Sequence, residues 1–285
     1  MEDSRIKNKK IKIALVQTQI VWEDKERNFE TAGKWIGEAA GKRAEAVFFP
    51  EMSFTGFSMN TDVTQEDDER TIRYMGGLAR KYHISNGFGW VKGCAGPDGR
   101  CENHYTVVDS AGDVLSDYAK IHPFSFSGED ERFQGGSALA HFGLNGIPYS
   151  SFVCYDLRFP EIFQAASGKA HMIVVPANWP AERREHWKLL LRARAVENQV
   201  YILAVNCVGE TGGILYAGDS CVIAPDGEVR AALSGTEGMI LSELSDDTER
   251  FRGEFPVKQD RREAFYAKLL SEDGEQKIRK RGNTG

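Results

Sequence analysis

Short apolar runs alternate along this chain with longer stretches in which apolar residues recur every three or four positions. The runs predict strands and the periodic stretches predict helices. Ile13 to Val16 reads as a strand, followed by a helix over about Asn28 to Ala40. Ala46 to Phe49 is a second strand that runs straight into Pro50 and Glu51, and Arg70 to Tyr82 is helical. Phe88 to Val91 and Tyr105 to Val108 read as strands, with a turn at Gly96-Pro97-Asp98-Gly99 between them. Tyr149 to Val153 is a strand ending at Cys154, and Met172 to Val175 is another ending at Pro176. Ala181 to Asn198 is helical, with Trp187, Leu190, Leu191, Arg194 and Ala195 at helical spacing. Strands follow at Tyr201 to Val205, Ser220 to Ala224, Val229 to Ala232 and Met239 to Leu244, with a Pro225-Asp226-Gly227 hairpin turn.

Strands that alternate with helices and then give way to hairpins predict one α/β domain, built on a mixed sheet or on two layered sheets. Composition adds limits. The 285 residues suffice for a buried core, and 41% hydrophobic with 27% charged is ordinary for a globular chain. A formal net charge of −6 argues against nucleic acid as a partner, and basic stretches occur only at Lys7 to Lys12 and Lys277 to Arg281. No apolar run approaches the ~20 residues that span a bilayer, and Met1 to Lys10 does not resemble a secretory signal. Five cysteines, odd in number and without a CxxC pair, support neither a disulfide framework nor a zinc site. The expected compartment is therefore a reducing cytoplasm.

Three segments place a reactive side chain at a strand end, where α/β folds build sites. They are Phe48-Phe49-Pro50-Glu51, Tyr118-Ala119-Lys120-Ile121-His122 and Ser151-Phe152-Val153-Cys154-Tyr155-Asp156. Taken singly, each has a plain structural explanation: a loop carboxylate, a solvated lysine, a small core thiol. Together they form a chemically complete set. A carboxylate can take the proton of a thiol nucleophile. An ammonium and a backbone N–H can hold the oxyanion that forms on the attacked carbonyl. No metal or organic cofactor is needed, and the six histidines show no ligand spacing.

Phe49-Pro50-Glu51-Met52, Lys120-Ile121-His122 and Cys154-Tyr155-Asp156-Leu157-Arg158-Phe159-Pro160-Glu161 resemble, in this order, the three signature motifs of the nitrilase superfamily, the carbon–nitrogen hydrolases. Pro176 to Pro180 and Arg192 to Asn198 extend the likeness, which covers Ile11 to about Pro256. It leaves a polar N-terminal extension, 1–10, and a charged C-terminal tail, 257–285. The resemblance implies a four-layer α-β-β-α sandwich and a catalytic triad at Glu51, Lys120 and Cys154. It also implies a homodimer or higher homo-oligomer paired through the helices near the nucleophile. A second glutamate shortly after the lysine is expected at Glu129 rather than Glu131.

Within the superfamily the wording is similar to that of the bacterial omega-amidase branch. The cues are Thr55-Gly56-Phe57-Ser58-Met59, Ala177-Asn178-Trp179-Pro180, His186-Trp187 and Tyr216-Ala217-Gly218-Asp219-Ser220. That branch releases ammonia from the terminal amide of small dicarboxylate monoamides such as 2-oxoglutaramate and succinamate. The substrate would then meet the Tyr155 backbone N–H at its oxyanion, Arg158 at its free carboxylate and Trp179 as a pocket wall. A structural use of Arg158, paired with Asp156 or Glu161, stands beside this reading. Hydrolysis of N-carbamoyl compounds or nitriles is the neighbouring alternative, and a non-catalytic ligand-binding homologue is the alternative of another class.

Overall fold

Ile11, Ile13 and Leu15 of the first strand, β1 (Lys10–Gln17), join one buried apolar cluster, and Ala14 and Val16 join another. Successive strand side chains point to opposite faces, so a strand apolar at nearly every position must be covered on both. This arrangement organises the computed structural model, which describes residues 9–93 and 99–271. Along the first half come α1 (Lys25–Gly41), β2 (Ala46–Phe48), α2 (Thr61–Thr64), β3 (Gln65–Glu66), α3 (Arg70–Tyr82), β4 (Ser85–Lys92), β5 (Glu102–Val108) and β6 (Val114–Ala119). The second half holds α4 (Glu129–Arg132), β7 (His141–Leu144), β8 (Ile147–Ser151), α5 (Pro160–Ala166), β9 (Met172–Ala177), α6 (Arg184–Asn198), β10 (Tyr201–Asn206), β11 (Val208–Thr211), β12 (Ile214–Ile223), β13 (Val229–Ser234) and β14 (Gly238–Ser245).

Two seven-stranded mixed sheets result. The first has the order β14-β1-β2-β4-β5-β6, with β3 on β4; β1, β2 and β4 are parallel and the remaining pairs along that order antiparallel. The second has the order β11-β12-β10-β9-β8-β7, with β13 on β12 and a parallel centre of β8, β9 and β10. Leu15, Phe48 and Tyr105 of the first sheet share a core with Tyr149, Val174 and Ile202 of the second. On the outer face of the first sheet, α1 and α3 bury Phe29, Ala32, Ile36, Met75 and Ala79 at helical spacing. The second sheet is covered by α5 and α6 through Phe163, Trp187, Leu191 and Ala195. The fold is the α/β sandwich that the family resemblance implies, and of the two arrangements the pattern left open it is the one with two layered sheets.

Strands β3, β6, β7 and β11 have no counterpart in the predicted pattern, and of the turn assigned to 96–99, residues 96–98 lie outside the described residues. The thiols of Cys154, Cys207 and Cys221 are free, but Cys101 takes part in a disulfide, which cysteine spacing alone did not suggest. No helix among the described residues is long and apolar enough to cross a membrane. The chain divides into two compact units, Met1–Thr248 and Glu249–Gly285. The described part of the second unit contains a 3-10 helix (Val257–Asp260) and a helix over 263–271.

Candidate active site

Strand β2 delivers Glu51 to the space between the sheets. Gly89 of the neighbouring strand makes this possible: a Cβ there would lie 2.3 Å from the Met52 nitrogen. The Glu51 side chain is fully buried. Its Oε1 accepts from Lys120 Nζ at 2.9 Å and from Asn103 Nδ2 at 2.8 Å, and its Oε2 accepts from the Asn178 backbone N–H at 2.9 Å. Asn178 also donates from Nδ2 to the Glu51 carbonyl at 2.6 Å. Carboxyl and main chain are thus fixed by the same neighbour.

Lys120 follows the last residue of β6, and its backbone N–H donates to the Asn103 carbonyl on β5 at 2.8 Å. Its ammonium is buried and sits between two carboxylates, touching Glu129 Oε1 at 3.0 Å and Oε2 at 2.8 Å as well as Glu51. Burial alone would lower the lysine pKa, but the charges of Glu129 and Glu51 outweigh it and hold the pKa above its ordinary value. The Glu129 carboxyl is raised as well: burial first, and the charge of Glu51 besides, act against the pull of Lys120. In the run Glu129-Asp130-Glu131-Arg132 only Glu129 is buried, and Glu131 is exposed. Asn103 Nδ2 spans the two acids, reaching Glu129 Oε1 at 3.1 Å. Two acids and one ammonium without solvent are costly to bury, which marks the cluster as chemical rather than stabilising.

Cys154 opens a 3-10 helix (Cys154–Arg158) with φ of 49°, a left-handed conformation that a residue with a Cβ rarely adopts. Asp156 holds this turn. Its buried carboxylate accepts from the Val153 backbone N–H at 3.0 Å, Tyr118 Oη at 2.8 Å and the His122 backbone N–H at 3.0 Å, and contacts His122 Nδ1 at 2.8 Å. From α6, Arg194 donates to the Leu157 carbonyl at 2.8 and 3.1 Å. The thiol donates to the Asn178 carbonyl at 3.9 Å, and burial, followed by the Glu51 charge, raises its pKa well above the ordinary range. Both influences favour the protonated thiol, so the sulfur depends on a base to become a nucleophile.

Above the sulfur opens a cavity of about 220 Å³, lined by Cys154, Tyr155, Arg158, Trp179 and neighbouring aromatic residues. The Arg158 guanidinium lies 4.8 Å from the Trp179 ring centroid and 6.0 Å from that of Tyr155. Among the described residues no carboxylate pairs with it, and Asp156 is occupied elsewhere, so the pairing with Asp156 or Glu161 is absent. Trp179 is both wall and core, because its ring also packs on Trp187 at 5.4 Å. A larger groove of about 800 Å³ between α6 and β12–β13 contains none of these residues.

Sequence reasoning missed Asn103, Asn178 and Arg183 as members of the site. Asn178 was visible inside the Ala177-Asn178-Trp179-Pro180 motif. Asn103 carried no signal of its own, because only the β5–β6 register sets it opposite Lys120.

Two facing sheets between helical layers, with a thiol, a carboxylate and an ammonium converging beneath one cavity, define a hydrolase of carbon–nitrogen bonds. The carbon-nitrogen hydrolase family model matches residues 12–252, and the chain belongs to that family. It is 31% identical to the 2-oxoglutaramate amidase of Bacillus subtilis (strain 168), over 89% of this chain and 98% of that protein. It is also 31% identical to the omega-amidase YafV of Escherichia coli (strain K12), over 88% and 96% of the two chains. Among solved structures it resembles an amidase from Nesterenkonia sp. AN1, with a TM-score of 0.81, 26% identity and coverage of 90% and 96%. That structure is of a variant showing covalent addition of the acetamide moiety of fluoroacetamide at the active-site cysteine.

Proposed function

We propose that this chain is an omega-amidase that hydrolyses the terminal amide of small dicarboxylate monoamides, of the 2-oxoglutaramate or succinamate type, to acid and ammonia. The observation that carries the reading is the convergence of Cys154, Glu51 and Lys120 beneath a small cavity whose wall includes Arg158. The names of the relatives support the substrate class.

In the mechanism we propose, the Glu51 carboxylate removes the thiol proton as Cys154 Sγ bonds to the amide carbon. The raised thiol pKa requires such a base at the moment of attack. The carbonyl π electrons move to oxygen, where the Lys120 ammonium and the Tyr155 backbone N–H stabilise the charge. Glu51 passes its proton to the leaving nitrogen, the carbon–nitrogen bond breaks and ammonia departs, leaving a thioester. A water gives a proton to Glu51 as its oxygen attacks the thioester carbon. The carbon–sulfur bond then breaks, the acid leaves and the thiol recovers the proton. Glu129 keeps Lys120 in place, and Arg158 holds the substrate's free carboxylate beside the Trp179 wall.

We further infer a homodimer or higher homo-oligomer, supported by the exposure of Leu189 and Val196 on α6. The cytoplasm is the compartment we propose, where a nucleophilic thiol stays reduced. The disulfide at Cys101 runs against it, since structural disulfides are rare there.

The test is ammonia release from succinamate, 2-oxoglutaramate, an N-carbamoyl amino acid and butyramide. The two monoamides should be the best substrates, and Cys154→Ala should abolish turnover while Cys221→Ser keeps it. Preference for the N-carbamoyl compound would reject the substrate class, and activity in Cys154→Ala would reject the mechanism.

A further inference from the structure

Arg158 is not the only cation facing the cavity. Arg183, from the 3-10 helix Ala181–Arg183 that precedes α6, lines the same space. Its guanidinium sits 5.6 Å from the Phe124 ring centroid, and its backbone carbonyl accepts from Trp179 Nε1 at 2.8 Å. Tyr155 joins the two cation–ring pairs, since its ring is 4.7 Å from that of Phe124. Each guanidinium thus lies over an aromatic wall; Arg158 Nη2 contacts His186 Nδ1 at 3.5 Å and Arg183 Nη1 contacts Glu182, which leaves further N–H groups of each for a planar anion. Burial first, and the like charge of Arg183 besides, depress the pKa of Arg158.

Two like charges beside one apolar cavity repel each other unless an anion lies between them, and no Asp or Glu is among the described residues lining it. The acid that does pair with Arg183 is its sequence neighbour Glu182, whose side chain is 69% exposed. An exposed pair of this kind contributes little and is readily exchanged for a better-placed carboxylate.

We infer that Arg183 is a second specificity-determining cation, which together with Arg158 clamps the free carboxylate of the substrate amide while Cys154 attacks the other end. The inference rests on the omega-amidase reading and extends it to a residue that no motif had singled out. It assigns the substrate class as short amides bearing one carboxylate, held by two guanidiniums rather than one.

The experiment compares Michaelis constants for succinamate and butyramide, and inhibition by succinate, in wild type, Arg183→Met, Arg183→Lys and Glu182→Gln. A charge-assisted hydrogen bond of ordinary strength corresponds to about ten- to hundredfold in affinity. The succinamate-to-butyramide ratio of Michaelis constants should therefore rise by about that factor in Arg183→Met, with a parallel loss of succinate inhibition. Arg183→Lys should fall between, and Glu182→Gln, at an exposed position, should tighten succinate by releasing the arginine. An unchanged ratio and unchanged succinate inhibition in Arg183→Met, with wild type still favouring succinamate, overturn the inference and leave the omega-amidase reading intact. A wild type that does not distinguish succinamate from butyramide overturns both. If Arg183→Met does not fold, unaltered succinate inhibition in both Arg183→Lys and Glu182→Gln overturns the clamp.

Discussion

Lys120 and Glu129 meet twice, with Nζ 3.0 Å from one carboxylate oxygen and 2.8 Å from the other. This contact holds the ammonium together with its other carboxylate partner, Glu51, so Glu129 positions a charge that the proposed reaction uses. The same acid is costly to the fold, because burial and Glu51 raise its carboxyl against the pull of Lys120. Glu129→Gln keeps the shape and removes that penalty, while Lys120 retains Glu51. Turnover should fall by about ten- to a hundredfold, short of the roughly 10²–10³ typical when an oxyanion donor is deleted outright. The melting temperature should change little. Kinetics and thermal melts on one preparation check both halves, and a large stability loss with normal turnover would show Glu129 to be structural.

Cys154 should respond in opposite directions to its two charged neighbours. Its thiol pKa is raised by burial and by Glu51, and lowered by Lys120. Glu51→Gln should therefore bring the thiol down and Lys120→Met should push it further up. Ultraviolet thiolate titration, referenced to Cys154→Ser, reads the shifts directly. The sign for stability follows. A thiol that titrates higher when folded keeps its proton there after the unfolded chain has lost it. Wild type should thus lose stability as pH rises above the unfolded thiol's value, and Cys154→Ser should lose less. Shifts of the same sign in the two charge variants would disprove the arrangement.

Much of this site is legible in the sequence for a physical reason. Glu51 and Cys154 stand at ends of strands whose apolar runs are short and sharp, so the local pattern places them as well as naming them, whereas Lys120 follows the mixed strand β6 and is legible through its motif. Edge elements are less legible. Strand β6 reads Val-Leu-Ser-Asp-Tyr-Ala with exposed and buried positions mixed, and β7 is only four residues of which His141 and Gly143 are exposed. Asn103 and Arg183 were invisible for a different reason. Their roles come from register and from a shared cavity, which are properties of the folded chain and not of a local window.

Asp156 should be the residue on which the nucleophile turn depends. Its carboxylate meets two backbone N–H groups, a tyrosine hydroxyl and a histidine ring, and Cys154 is held at positive φ next to it. Asp156→Ala leaves several buried donors without a partner, at about 1–3 kcal/mol each where water does not replace the acceptor. Conversely, Asp156→Asn keeps the acceptor oxygen and should retain more of both properties. Expected outcomes are a melting temperature lower by several degrees and turnover lower by at least tenfold in Asp156→Ala. Asp156→Ala indistinguishable from wild type in melting and turnover would remove Asp156 from the argument.

The oligomer prediction rests on how unevenly the two helices near the nucleophile are buried. On α5, Phe163 is wholly inside, so that helix spends its largest apolar side chain on its own subunit. Along α6, Trp187, Leu191 and Ala195 point into the core, whereas Leu189 is 68% exposed and Val196 50% exposed. Both line the groove of about 800 Å³ that continues over Ile223, Val229 and Leu233 of β12 and β13. An apolar groove of this kind favours a second surface over water, and a copy of the same chain would present the same helix in return. Leu189→Glu places a charge where that copy would desolvate it, without touching the core. The substitution should convert a dimer into a monomer by sedimentation velocity at micromolar concentration, with the melting temperature read alongside. A wild type that sediments as a monomer, or a dimer indifferent to Leu189→Glu, would show that α6 does not form the interface.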